Sequence, residues 1–288
     1  MRELIGSGER SFSFEFFPPK DEAGEEQLWR AITELEPYAP TFVSVTYGAG
    51  GSSRDSTVRV TGRIARETSL VPVGHLTCVG HTREELEDVL DAYADAGVAH
   101  VLALRGDPED GPRAAWTPTP GGLTHARDLV RLARGRGDFA VGVAAFSLGH
   151  PSAPSLEADA RVLLDKQRAG ADFAVTDMVF SADDYEGLVE RAAAIGVDMP
   201  ILPGVMPILN LRQVSRMAEL SGHPVPPQVQ ARLRPYEDDA AALRAEGIAM
   251  AAELCDRLLS VGAPGLHFYT LNRSRATREI FEALRIGA

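Results

Sequence analysis

Short apolar runs alternate along the chain with amphipathic segments, a spacing that predicts strands and helices in strict succession. The runs are Phe12 to Phe16, Phe42 to Tyr47, Val71 to Thr77, His100 to Leu104, Ala140 to Ala145, Phe173 to Thr176, Ile201 to Val205 and Leu266 to Tyr269. Most are near-continuously apolar, as strands covered on both faces of a parallel sheet are. In Glu84 to Ala96, by contrast, Leu86, Val89, Leu90 and Tyr93 recur at helical spacing behind Thr82 and Glu85, a pair suited to a capping box. Ser181 and Asp184 mark another helix start in the same way. Gly97, Gly170, Gly196 and Gly262 each precede the next run by a few residues, where C-cap glycines belong.

These β-then-α units predict a (β/α)8 TIM barrel, an α/β fold forming a single domain over residues 1–288. An open doubly wound sheet would carry a glycine-rich phosphate turn after its first strand, but here that strand runs into Pro18, Pro19 and Lys20. The stretch from Ser221 to Val261 exceeds one helix and contains Pro224 and Pro227, which predicts extra helices before the last strand.

Composition narrows the partners. The chain is 44% hydrophobic and 24% charged, within the ordinary globular range, and no apolar stretch approaches the roughly 20 residues of a membrane span. Met1 to Gly6 lacks the apolar core of a signal peptide, so the expected location is the cytoplasm. A net charge of -12 disfavours nucleic acid and anionic membrane, leaving a small molecule as the expected partner. Cys78 and Cys255 lie far apart without metal-ligand spacing and read as inert thiols, so no metal is expected. Lysine occurs only at Lys20 and Lys166, every other cation being arginine, and Lys166 falls within a predicted helix.

Barrel enzymes work at the carboxyl ends of their strands. Those ends carry Glu15, Thr46, Tyr47, His75, Thr77, Arg105, Gly106, Asp107, Phe146 with His150, Thr176, Asp177, Met206, Tyr269, Thr270, Asn272 and Arg273. Each has an ordinary structural explanation, His75 as a core histidine or Arg105 and Asp107 as a local ion pair, but their joint occurrence at one rim is hard to explain by packing. The glycine-rich Gly48 to Ser53 segment adds backbone able to approach a ligand. Glu15 interrupts Phe12, Phe14, Phe16 and Phe17. Alternation sets it opposite Phe14 and Phe16, so it faces either idle solvent or a site. Lost hydration among aromatic rings would raise its pKa and make it a general acid.

The phrases Phe14-Glu15-Phe16-Phe17-Pro18-Pro19, Ser44-Val45-Thr46-Tyr47-Gly48-Ala49, His75-Leu76-Thr77, Leu104-Arg105-Gly106-Asp107, His150-Pro151, Pro203-Gly204-Val205-Met206-Pro207 and His267-Phe268-Tyr269-Thr270-Leu271-Asn272 closely resemble the methylenetetrahydrofolate reductases, in order and over nearly the whole chain. The resemblance implies a flavoprotein that reduces 5,10-methylenetetrahydrofolate to 5-methyltetrahydrofolate, with FAD as cofactor, NADH or NADPH as donor, ping-pong kinetics and a place in methionine biosynthesis. It also implies a homo-oligomer. By motif, Glu15 becomes the acid for the folate N5, and Asp107 lies near both flavin and folate. The implied FAD-binding set is Thr46, His75, Arg105, Gly106, Asp107, His125, Ala126, Phe146, His150, Asp159 and Lys166. The implied folate set is Glu15, Asp107, Asp177, Gln213 and Arg273.

Three positions depart from the family pattern. Asp177 stands where a glutamine is usual, and Phe146 and His125 stand where tyrosines are usual. A carboxylate at 177 can accept from two pterin N–H groups, yet another acid near Glu15 and Asp107 raises neighbouring pKa values. Two rival readings follow: a barrel lyase forming a Schiff base at Lys166, and a folate- or flavin-binding paralogue with an altered donor or without turnover.

Overall fold

The computed structural model describes residues 1–6, 9–47, 54–108, 110–111 and 113–284; the glycine-rich segment at 48–53 lies outside them. The strands are β1 (Ser11–Phe16), β2 (Phe42–Val45), β3 (Pro72–Thr77), β4 (His100–Leu104), β5 (Ala140–Ala145), β6 (Phe173–Met178), β7 (Ile201–Val205) and β8 (Gly265–Tyr269). They close in sequence order into a barrel, each parallel to its neighbours. Helix α1 (Arg2–Ile5) precedes the barrel; α2 (Glu22–Leu35), α3 (Arg54–Glu67), α4 (Arg83–Asp95), α5 (Ala126–Arg136), α6 (Leu156–Arg168) and α7 (Ala182–Ala194) follow the first six strands in turn. Between β7 and β8 lie α8 (Leu211–Ser221), α9 (Pro227–Leu233) and α10 (Ala240–Ser260), and α11 (Ser274–Ala283) ends the succession.

Strand alternation sorts side chains into two shells. Phe14, Phe16, Val43, Val45, Leu76, Val101, Val143 and Phe268 face outward and are buried against helix residues such as Leu28, Ile64, Leu90 and Phe281. Phe42, Val73, Leu102, Phe173, Val175 and Leu202 fill the barrel interior, and Met1 and Ile5 pack against them from α1. The apolar packing therefore closes one end of the barrel and leaves the carboxyl end of the strands to polar groups.

Local chemistry sets the helix boundaries. Thr82 and Glu85 form the expected capping box on α4, whereas Ser181 caps α7 by accepting from Asp183 N, one residue short of the Asp184 that the sequence pairing used. Gly97, Gly170, Gly196 and Gly262 all take positive φ after their helices, as C-cap glycines do. The predicted extra helices are present, with Pro227 in the first turn of α9. In β6 the pairing with β7 shifts between Val175 and Met178, a bulge that gives Asp177 a place off the regular ladder.

Candidate active site

At the carboxyl end of β1, Glu15 turns inward while Phe14 and Phe16 turn to the helices, so the aromatic run flanks the carboxyl without surrounding it. Its neighbours come from three other strands. Ser44 Oγ donates to Glu15 Oε2 at 3.2 Å, His267 Nε2 lies 3.2 Å from the same oxygen, and His75 Nε2 lies 3.3 Å away. Ser13 Oγ, one inward position below on β1, meets His267 Nδ1 at 2.8 Å. Burial raises the proton affinity of Glu15, but the two imidazoles together outweigh it and hold the carboxyl down at about 2. The expected upward shift is thus reversed: Glu15 is an ionised group in a polar nest.

Above this floor, Glu15 shares a cavity of about 620 Å³ with residues from β2 to β6 and from α6. That volume suits a sizeable small molecule. Gly106, at φ 80°, makes the turn after β4 and sends Arg105 and Asp107 along the wall, their charged atoms 3.7 Å apart. Burial raises the Asp107 pKa, with Arg105 opposing the rise. His150 accepts from Ser152 N at Nδ1, 3.0 Å away, and burial followed by the nearby Arg105 charge pushes its pKa down to about 4. The neutral ring therefore carries its hydrogen on Nε2, the atom that faces Arg105 Nη2 at 3.3 Å. Two donors converge there, an arrangement that an anion between them would satisfy.

Lys166 adds a further cation. It lies within α6, as the sequence pattern places it, and not at a strand end where the Schiff-base reading needs it. Its Nζ donates to Ala144 O at 2.8 Å, and burial lowers its pKa to about 8 while Asp159 partly restores it. Leu102, Ala103, Leu104, Ala144 and Val175 give the same cavity an apolar lining. A flavin dinucleotide requires this combination, cationic and N–H donors for a diphosphate beside apolar surface for a ring system.

Asp177 completes the cavity. Ser147 N donates to Asp177 Oδ1 at 3.4 Å; among the described residues no cation pairs with it. Burial raises its pKa to about 7. Beside it, Tyr269 OH donates to Thr176 O at 2.6 Å, its ring passing where Gly204 has no side chain; a Cβ at 204 would lie 2.6 Å from Tyr269 Cε2.

Thr46, His75, Arg105, Gly106, Asp107, His125, Ala126, Phe146, His150, Asp159 and Lys166 all line this one cavity, together with Glu15 and Asp177. Gln213 and Arg273 do not. Gln213 folds back, accepting from Leu209 N at 3.3 Å and donating to Pro207 O at 3.2 Å, and Arg273 is exposed ahead of α11. The sequence reading missed Ser44 and His267 as partners of Glu15. Their signal was alternation: Ser44 and Tyr269 pair in register with Glu15, and His267 lies two residues before Tyr269 on the inward face of β8.

A closed (β/α)8 barrel with carboxylates and anion-seeking donors at the carboxyl ends of its strands defines a barrel enzyme with a rim site. The sequence matches the family described as Methylenetetrahydrofolate reductase over residues 1–285. The chain belongs to that family of oxidoreductases. It is 35% identical over 280 residues to 5,10-methylenetetrahydrofolate reductase of Pectobacterium carotovorum subsp. carotovorum, covering 97% of this chain and 91% of that one. It is 36% identical over 283 residues to Methylenetetrahydrofolate reductase (NADH) 1 of Arabidopsis thaliana, covering 94% of this chain but 48% of the plant protein, about half its length. Among solved structures, an uncharacterized protein from Clostridium thermocellum that binds two copies of 5-methyl-5,6,7,8-tetrahydrofolic acid has TM-score 0.68 at 12% identity, covering 98% of this chain and 96% of that one. A 2,3-dimethylmalate lyase has TM-score 0.54 at 12% identity over 99% of this chain and 84% of the lyase. At such identities these two structures speak to the fold alone.

Proposed function

We propose that the chain reduces 5,10-methylenetetrahydrofolate to 5-methyltetrahydrofolate with electrons from NADH or NADPH, using bound FAD. The observation that carries this reading is the placement of Glu15 in the same cavity as the converging donors of Arg105 and His150. Arg105, His150 and Lys166 would hold the cofactor's diphosphate, and the apolar lining its ring system. Bound FAD would supply the two-electron chemistry, receiving hydride from the nicotinamide and passing it to the folate.

Glu15 then serves the folate N5. Already buried and ionised in the free site, it acts as an acid only once a proton reaches Oε2, the oxygen that faces His75 Nε2 at 3.3 Å and His267 Nε2 at 3.2 Å. Transfer of that proton to N5 opens the imidazolidine ring and generates the cationic iminium that accepts hydride. Asp107, on the opposite wall, favours that cation electrostatically. Asp177, when neutral, offers the pterin one donor and one acceptor. The same site supports a small-molecule enzyme of one-carbon metabolism, and no described helix is long and apolar enough to cross a membrane.

Anaerobic mixing of the purified protein with NADH, then with methylenetetrahydrofolate, separates the half-reactions. Bleaching of flavin absorbance followed by its return on adding folate is the expected result. Protein that binds no FAD and stays inactive when FAD is added would sink the reading.

A further inference from the structure

Arg105 can act on an anion only if its guanidinium edge stays free and fixed. Its three close contacts leave that edge uncommitted. Asp107 is 3.7 Å away, beyond hydrogen-bond reach; His150 presents a donor; and Nε is used locally, on Gly106 O at 3.2 Å. What holds the plane of the group is an aromatic face: Arg105 Cζ lies 4.7 Å from the centre of the Trp116 ring. Stacking fixes a guanidinium without using its N–H groups or neutralising its charge, whereas an ion pair would do both.

Trp116 is half-buried, its indole N–H meets no acceptor among the described residues, and the chain is tethered on either side of it. Residues 113–121, which carry it, are pinned at both ends. On one side Thr119 Oγ1 accepts from Gly80 N at 3.1 Å and Gly121 O accepts from Arg83 N at 3.0 Å, while on the other Arg113 Nη2 donates to Gly222 O at 2.6 Å, just past α8. Residues 113–121 thus bridge the start of α4 and the end of α8, and Trp116 within them lies against Arg105.

We propose that Trp116 is the positioning residue of the anion subsite, holding the Arg105 guanidinium edge toward the cavity so that Arg105 and His150 converge on the cofactor's diphosphate. The inference rests on the proposed FAD site but is tested without it as well. In the cofactor-free protein, the Arg105 side-chain N–H resonance is expected to show a ring-current shift in wild type and W116F, and to lose it in W116A. An unshifted wild-type resonance would overturn the proposal whether or not the protein binds flavin. For FAD itself, titration followed by flavin fluorescence is expected to give about tenfold weaker binding in W116A and near wild-type binding in W116F, the scale of one cation–π contact. Trp116 acts through Arg105, so R105A and the double variant R105A/W116A are expected to bind equally weakly. Additive losses in the double variant, or wild-type affinity in W116A with its fold intact by circular dichroism, would count against the assignment. Wild-type protein that fails to bind FAD would instead remove the flavin reading and leave the resonance measurement to decide the role of Trp116.

Discussion

His267 Nε2 sits 3.2 Å from Glu15 Oε2, joining the last barrel strand to the first at the floor of the cavity. The contact decides what Glu15 is in the resting protein. An isolated buried carboxyl would keep its proton; this one, with His75 also 3.3 Å away, gives it up. In the proposed reaction the proton for folate N5 is therefore not stored on Glu15 beforehand but has to reach it during the cycle.

Replacing Glu15 by Gln removes the proton carrier but leaves the wall formed by Arg105, His150 and Lys166. Rapid-mixing absorbance is predicted to show flavin reduction by the nicotinamide within a few-fold of wild type, while folate reduction falls by at least about a hundredfold, the scale of lost general acid catalysis. Equal loss of both half-reactions would refute the assigned role.

The same pair contributes to the acid limb of stability. Glu15 has a folded pKa of about 2, below its unfolded value, so its contribution is complete above the unfolded pKa near 4 and is lost as pH falls toward 2. That difference corresponds to about 3 kcal/mol at neutral pH as an upper bound. Urea unfolding between pH 2 and 6 is predicted to show a steep acid limb in wild type and a flatter one in E15Q and H267F. An unchanged limb in H267F would mean that His267 does not stabilise the carboxylate.

Asp177 has the opposite sign. Its pKa is raised to about 7 by burial, so the folded protein holds a proton that the unfolded chain has lost, and stability falls as pH rises from about 4 through 7. D177N, which keeps the shape without the charge, is predicted to be more stable than wild type at pH 8 by up to about 4 kcal/mol and to lack that slope. In the folate half-reaction, wild type is expected to lose affinity for the pterin above neutral pH, while D177N loses none. Parallel pH profiles for the two proteins would show that Asp177 does not titrate in this range.

Much of the frame was readable because a strand covered on both faces announces itself as a bounded apolar run, and every run from Phe12–Phe16 to Leu266–Tyr269 became a barrel strand. The rim was readable for the same reason, since strand ends are local. What stayed hidden was non-local. Phe12 to Phe17 suggests an apolar setting for Glu15, yet the groups that govern it, Ser44, His75 and His267, arrive from β2, β3 and β8. Gln213 and Arg273 lie close in sequence to rim segments, but local hydrogen bonding turns the first back to Pro207 and Leu209, and the second is exposed outside the cavity. The bulge that seats Asp177 depends on the pairing of β6 with β7, which no spacing within Phe173 to Thr176 reveals.

Lys166 offers a test of the anion wall that reads stability and binding in opposite directions. Its Nζ is buried on Ala144 O, and burial, only partly offset by Asp159, lowers its pKa to about 8 from an unfolded value near 10. Between those values the unfolded chain binds more protons, so wild-type stability is predicted to rise with pH from about 8 to 10, and below pH 8 the buried ammonium costs up to about 3 kcal/mol. K166M keeps the stem and removes the charge. Thermal unfolding at pH 7 is therefore expected to place the cofactor-free variant at or above wild type in Tm, with no gain on raising pH. FAD binding moves the other way, because a charged contact to the diphosphate is lost, and is expected to weaken by at least about tenfold. A variant that is less stable and binds FAD as tightly as wild type would show that Lys166 is a packing residue and has no part in the anion site.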